Sequence, residues 1–544
     1  MSTAFTPLVG DDKTQSVGVG VVVAPPPLII TQPTPAPGAR DVFFAFAFVV
    51  HVIVVAALAL SLGSAAVRHD AESPPPASAG TFDVSSYTVL RALLVAAGAA
   101  AAVAVTMFEC LRRQGGALIR VALLMSVALQ IIAGGALIGV GTVPAGGVFI
   151  VLGLITLVYY GCVRSRIPFA AAHVSIATAA LARAPGLACV ALGCLIAQTA
   201  WSALWTLAAL GIEHAVNTGG GSSSTGVIAS FLMLVSFFWG SVLIRNVAAV
   251  RCCPACAKAL FPLPALHLFA HAAPARPHFW QFCAASCVGS YWWHGDNDRA
   301  PTAGAAKRAL TTSFGTLSLS ALLVSIAEAA RTVARNASKH SKDKSLAVAV
   351  ITCVALCVVT IFAALMRFIN KWAVVFAALT GASLVEAGTA VLDLFTARGF
   401  DAIINDDLVS TALALASVGA AAIGALAGGA VSYAADTSTT SDFIVAHAII
   451  AAILAFCVGL GMASCIASFI ETATRAVFVA WALSPGSLAQ THRADFDQIA
   501  SAWRTAHPEA FNAAGYAQLC APGGFTPGGA AAPPPYMAAP MAYA

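Results

Sequence analysis

The chain has 544 residues, 59% of them hydrophobic and only 9% charged, with a formal net charge of +5. A soluble domain carries about 25% charged residues, so this chain cannot dress a water-facing surface and takes lipid as its solvent. The positive charge is small and scattered, unlike the clustered basic face of a nucleic-acid binder.

Residues 1–40 hold Pro25, Pro26, Pro27, Pro33, Pro35 and Pro37 without an amphipathic period, and read as a disordered cytosolic tail. They lack the charged n-region and apolar h-region of a cleavable signal, so the first apolar run serves as an uncleaved signal-anchor. Long apolar runs follow at about 42–63, 86–109, 117–141, 144–163, 186–211, 226–248, 306–330, 346–366, 407–434 and 442–470. They read as helices, because only helices and closed barrels satisfy the backbone in lipid. Barrel strands would alternate apolar and polar residues, and these runs do not. The expected fold is therefore all-α, a polytopic membrane bundle of about ten transmembrane helices over residues 41–484. Gly424 and Gly428 form a G-x-x-x-G pair, the spacing that lets membrane helices approach closely. Most cysteines, such as Cys194, Cys353 and Cys465, sit inside apolar runs and read as small packing residues.

Basic loops set the orientation. Arg112 and Arg113 separate the second and third spans, and Arg164, Arg166 and Arg183 follow the fourth, which places the N-terminus in the cytosol. Alternation then puts loop 331–345 outside. Its Arg331, Arg335, Lys339, Lys342 and Lys344 favour the inside instead. An inside placement requires an extra crossing between 255 and 296, or a non-spanning segment near 306–330 or 346–400. Asn336-Ala337-Ser338 in that loop is a glycosylation sequon, usable only on the lumenal side.

Residues 485–544 read as a cytosolic tail rich in Pro, Ala and Gly. It ends in Pro533-Pro534-Pro535-Tyr536, a P-P-x-Y pattern that fits a WW domain through a preformed polyproline II helix. A ubiquitin ligase controlling surface abundance is one partner of that kind.

Several blocks carry a resemblance. Asp41-Val42-Phe43-Phe44 opens the first span, and Arg164-Ser165-Arg166-Ile167-Pro168-Phe169-Ala170 follows the fourth. Trp239 precedes Ile244-Arg245-Asn246-Val247, and Lys307-Arg308-Ala309-Leu310-Thr311-Thr312-Ser313-Phe314-Gly315 precedes a later span. Asn370-Lys371, Arg398-Gly399 and Ile404-Asn405-Asp406-Asp407 follow, then Glu471, Phe478, Pro485 and Ser501-Ala502-Trp503. In this order they resemble the choline transporter-like proteins, in a pattern closer to the fungal, plant and protist branch. The resemblance covers about 41–505. It implies a small-molecule cation cargo, choline or ethanolamine, and no cofactor. One departure stands out: between Val247 and Val288 the chain has about thirty residues more than the resemblance implies.

A quaternary ammonium cannot donate hydrogen bonds, so it calls for aromatic faces and a nearby carboxylate. Tyr159, Tyr160, Trp201, Trp205, Phe237, Phe238 and Trp239 are available within spans, and such rings are more often packing or interface anchors. Trp239 is the favoured contact, with Asn246 beside it in the same block. Glu386 and Asp393 are seven apart and share a helical face. They are candidates for a substrate or proton role, against a structural ion pair. Glu109 and Glu328 read as interface residues beside Arg112 and Arg331, and Glu471 and Arg475 as a local pair. Asn405-Asp406-Asp407 reads as a helix N-cap. Cys253, Cys256, His267 and His271 approach a zinc-finger spacing, but Pro262 and Pro264 interrupt it and a coincidence is the better reading. No Walker A, H-E-x-x-H or Rossmann pattern appears, so an enzyme is not expected and transport should be passive or ion-driven. The expected activity is movement of choline or a related amine across the plasma membrane, with a proton as the exchangeable ion. The alternative is a non-transporting scaffold that recruits WW-domain partners through Pro533, Pro534 and Tyr536.

Overall fold

The computed structural model describes residues 38–64, 143–218, 223–244, 278–340, 346–398, 401–435 and 441–513, with scattered positions between 106 and 141 and residues 516 and 520. Among them every regular element is helical. Seven of these helices are long and apolar enough to cross a membrane. The expected spans at 86–109 and 117–141 fall partly outside the described residues.

Helix α1 spans Val42–Leu58 and ends in a π turn, Ala59–Gly63. It is apolar all round, as a lipid-bathed helix must be. Phe43, Phe46, Ile53 and Leu60 face outward, while Phe48, Val55 and Ala59 are buried. Helices α2 (Val143–Val163), α3 (Ile167–Ala182), α4 (Leu187–Thr218) and α5 (Ser223–Ile244) follow. Where α1 crosses α4, a Cβ on Gly63 would strike the Leu207 carbonyl, and one on Gly211 would strike Leu62. Without a hydrophobic drive between helices in lipid, such small-residue crossings supply the close van der Waals packing.

Helix α6 (His278–His294) lies inside the window 255–296 where an extra crossing was one of the alternatives. It belongs to none of the ten predicted spans, yet Trp280, Phe282, Val288 and Trp292 are buried. It packs against α3, α4 and α5, and against α8 (Phe314–His340), α9 (Leu346–Thr380) and α12 (Ser441–Leu483). Depth can be read along α9. Asn370 Nδ2 donates to the Ser320 carbonyl, near the Ser318 carbonyl that accepts from Trp239 on α5. Ser286 Oγ of α6 donates to the Ala378 carbonyl, about two turns further along α9. Helix α6 thus takes up the descent near the depth at which α5 stops. The residues between the two, 245–277, lie outside the described set, and with them Asn246 and Cys253, Cys256, His267 and His271.

Hydropathy drew one span at 306–330. The structure has two elements there: an amphipathic helix α7 (Pro301–Leu310) with Lys307 exposed, then a turn at Thr311–Ser313, then α8. The span expected at 346–366 is also too short, since α9 continues unbroken to Thr380. Its polar residues interrupt the hydropathy but are met inside the bundle. Arg367 pairs with Glu328, Asn370 bonds Ser320, and the Lys371 ammonium lies 5.2 Å from the Phe368 ring centroid. After a tight turn through Gly381 (φ 74°) comes α10 (Leu384–Arg398).

Helix α11 begins at Asp401 and runs to Ala435, so Asn405–Asp407 lie inside it and are not its cap. Their acidic charge still falls near the positive end of the helix dipole. Gly424 and Gly428 are buried, and at Gly429 an added Cβ would sit 3.0 Å from the Ala452 methyl of α12. The predicted pair Glu471–Arg475 forms on α12, with Ser410 of α11 donating to the same carboxylate and Arg475 1% exposed. Residues 485–513, expected as tail, instead build α13 (Pro485–Thr491), α14 (Arg493–Ala506) and α15 (Pro508–Ala513). Their Phe496, Trp503 and Phe511 are buried.

These helices close one end of the bundle, the base, together with α3. Phe169 and His173 of α3 meet Trp503, and Arg183 just past α3 meets His492. Trp292 Nε1 donates to the Ser484 carbonyl at the same end.

The basic charge at Arg331 and Arg335 favoured the side of the N-terminus, and the structure separates these two residues from it. Helix α8 starts beside the first span, where Arg40 N donates to the Thr312 carbonyl and Thr316 Oγ1 to Asp41. It then runs 27 residues without a break, about 40 Å, more than the thickness of a bilayer core. Arg331 and Arg335 therefore lie toward the opposite end of the bundle from Asp41. Glu328 is also not an interface residue. It is 2% exposed, between Arg331 of its own helix and Arg367 of α9.

Candidate functional site

The sequence singled out Trp239, and the structure surrounds it with rings. Helix periodicity puts Phe48 and His51 of α1 on one inward face, one turn apart. Helix α4 brings Trp201, α5 brings Ser236 and Trp239, and α8 brings Phe314 at its first residue. The His51 and Trp239 rings stack, with centroids 4.8 Å apart and planes 22° apart. Trp239 meets Phe48 edge-on at 5.4 Å, and His51 meets Trp201 at 5.4 Å. Phe314 stands edge-on to Phe48 at 5.9 Å.

Polar atoms fix this cluster. Trp239 Nε1 donates to the Ser318 carbonyl at 2.9 Å, and Trp201 Nε1 to the Phe237 carbonyl at 3.3 Å. His51 Nε2 lies 2.8 Å from Ser236 Oγ, while its Nδ1 is buried with no hydrogen-bond partner among the described residues. Gly240 makes the arrangement feasible, because any Cβ there would run into the Trp201 indole. The result is a set of aromatic faces from four helices, with no carboxylate, lysine or arginine among the five ring residues. Such faces attract a cation through the ring quadrupole by roughly 0.5–2 kcal/mol each. They hold no inorganic ion as a carboxylate cage would.

Asp41 anchors the lower edge of the cluster. It has left-handed backbone angles, φ 51° and ψ 39°, which a non-glycine residue adopts only when held there. Its Oδ2 accepts from Thr316 Oγ1 at 2.9 Å and from the Leu384 amide at 3.1 Å. It ties α1 to α8 and α10, and the absence of a side chain on Gly315 leaves room for its backbone.

Glu386 and Asp393 share a face of α10, as their spacing required, but it is an exposed face. Glu386 closes a capping box. Its Oε2 accepts from the Ser383 amide at 2.9 Å, and its own amide donates to Ser383 Oγ at 3.4 Å. The structure does not bring either carboxylate to the rings around Trp239. Pro533, Pro534 and Tyr536 lie outside the described residues. Among those described, no group of three His, Cys, Asp or Glu residues is arranged to hold a metal ion.

The residue the sequence reading overlooked is His51. Its signal was present: a single polar ring in the apolar run Val49-Val50-His51-Val52-Ile53, where membrane depth makes polarity costly. Phe314 was hidden by the merging of α7 and α8 into one span.

Comparison with known proteins covers most of this bundle. The family described as plasma-membrane choline transporter matches residues 147–272 and 278–485. The break in that match falls between α5 and α6. Protein PNS1 of Eremothecium gossypii is 28% identical over 287 residues, 49% of this chain and 46% of the relative. A CTL-like protein of Dictyostelium discoideum is 24% identical over 276 residues, 51% of this chain and 43% of the relative. Protein PNS1 of Candida albicans is 25% identical over 370 residues, 65% of this chain and 64% of the relative. The chain thus spans about half the length of the first two relatives.

Proposed function

This chain belongs to the plasma-membrane choline transporter family, and from that premise we propose that it carries choline or a related amine, such as ethanolamine, across a membrane. The observation that supports this most is the ring cluster of Phe48, His51, Trp201, Trp239 and Phe314, drawn from four helices. A quaternary ammonium is weakly hydrated and donates no hydrogen bond, so aromatic faces recognise it where a hydrogen-bonding cage would not.

Of the residues proposed from sequence for the substrate, Trp239 is the one we carry forward, joined by His51, Trp201 and Phe48. Movement of the cargo follows its own gradient or is exchanged for a proton. The plasma membrane is the proposed location. Glu386 is assigned to the cap of α10, and Glu386→Gln, which keeps the capping geometry, should leave the pH dependence of uptake unchanged.

The test is uptake of labelled choline into cells lacking their own choline carriers, with and without the chain at the surface. Saturable uptake, competed by unlabelled choline, is expected. Absence of uptake with surface expression demonstrated rules out choline as cargo.

A further inference from the structure

A second place in the molecule is built for a cation, and it is separate from the rings around Trp239. At the base, a cavity of about 300 Å³ opens among Ala180, Arg183, Ser290, Tyr291, Asp296 and Asp298. Asp298 is a preset anion. Ser290 Oγ donates to its Oδ2 at 2.5 Å and the Ala300 amide to its Oδ1 at 3.0 Å. Those bonds, Ser290's first, hold its carboxyl below the ordinary carboxylate range. Tyr291 supplies an aromatic wall that cannot turn. Its ring stacks on His492 with centroids 3.8 Å apart, and its hydroxyl donates to Asp495.

Over that ring lies the Arg183 guanidinium, 5.0 Å from its centroid. The same guanidinium pairs with Asp296 and bonds His492 Nε2 at 3.0 Å. A cation over an aromatic face, with a carboxylate beside it, is the arrangement that recognises an organic ammonium. Here an internal cation holds the place. Its hold is weak, because the Arg183 side chain is 44% exposed and that of Asp296 75%, and exposed pairs are screened by water and salt. Around the cavity, Asp296, Asp298 and Asp495 face Arg183 and Arg308, which leaves an excess of negative charge once Arg183 swings away.

We propose that this basal cavity is a second binding site, for an organic ammonium cation, in which Arg183 is a displaceable internal competitor for Tyr291 and Asp296. The proposal rests on the transporter reading for the identity of the cargo, and on the cavity alone for the existence of the site.

The experiment measures equilibrium binding of labelled choline to the purified full chain in lipid nanodiscs, in the wild type and in a Trp239→Leu background. Arg183→Gln should tighten binding at the basal site at least threefold, and Asp298→Asn should weaken it at least threefold. Arg183→Lys keeps a cation there and should bind like the wild type. Tyr291→Phe keeps the ring and should bind, while Tyr291→Leu should not. The opposite signs of Arg183→Gln and Asp298→Asn distinguish a site from damage to the fold, which would weaken both. Saturable binding that responds to neither substitution overturns the basal site and leaves the transporter reading standing. Absence of saturable choline binding in every variant, with no uptake in cells, overturns both.

Discussion

Single residues hold this bundle together through polar atoms that the membrane would otherwise penalise. Asp41 is the clearest, a left-handed residue whose carboxylate accepts from two other helices. Asp41→Ala removes both acceptors and keeps the backbone conformation without a residue suited to it. We expect a loss of about 1–3 kcal/mol of stability, read as earlier thermal unfolding of the detergent-solubilised protein. Asp41→Asn, which tolerates left-handed angles and keeps one acceptor, should lose less. Equal stability of the alanine variant and the wild type would show that the tie is idle.

His492, between α13 and α14 at the base, is one source of pH dependence in the stability. Burial, and then the charge of Arg183, hold its pKa below the ordinary 6.5, and Asp495 opposes them without prevailing. The folded base therefore favours the neutral ring. Its contribution is complete above the unfolded value near 6.5 and is lost as pH falls below it. Thermal unfolding between about pH 7.5 and 5.5 should show that fall, and His492→Phe, which keeps a ring to stack on Tyr291, should make it shallower. An unchanged slope in the variant would assign the effect elsewhere. Of these residues, the sequence reading marked Asp41 only as part of a family block and His492 not at all. Their roles depend on partners hundreds of positions away, such as Arg183, and no local pattern announces that.

Elements were legible where hydropathy alone decides them. The helices α1, α2, α4 and α12 start within a residue or two of where their apolar runs predicted. Legibility failed where polar residues enter the bundle. The run ending at 366 concealed fourteen more helical residues of α9, because Arg367, Asn370 and Lys371 find partners on α8 and α9 itself. It failed again at α6, whose Gln281, Ser286 and Ser290 lower its hydropathy although most of the helix is buried. The extra length between Val247 and Val288 was visible, and α6 begins near the depth at which α5 ends. If residues 245–277 interrupt what is otherwise a single crossing, deletion of 250–277, which leaves α6 whole, should give a protein that reaches the surface at wild-type levels. Size-exclusion profiles and surface labelling would check it, and aggregation of the deletion variant would show that the segment is part of the fold.

For the whole molecule, composition settled the solvent and the fold class, and the ordered blocks settled the family. What they could not give is which rings meet. Trp201 and Trp239 were two of many aromatics in spans, and only the packing of α1, α4, α5 and α8 selects them, together with the unremarked His51. The carboxylates proposed from spacing, Glu386 and Asp393, did fall on one helical face, but spacing carries no information on which way that face points.

The central claim is that the cation sits among these rings. It is tested most directly by the KM for choline uptake in a graded series at matched surface expression: wild type, Trp239→Phe and Trp239→Leu. Both substitutions lose the indole bond to Ser318, and only the first keeps an aromatic face. The account predicts little change in KM for Trp239→Phe and a rise of about two- to thirtyfold for Trp239→Leu, the range that the loss of one cation–π contact of about 0.5–2 kcal/mol gives. An unchanged KM in Trp239→Leu would contradict it and move the cation elsewhere in the bundle.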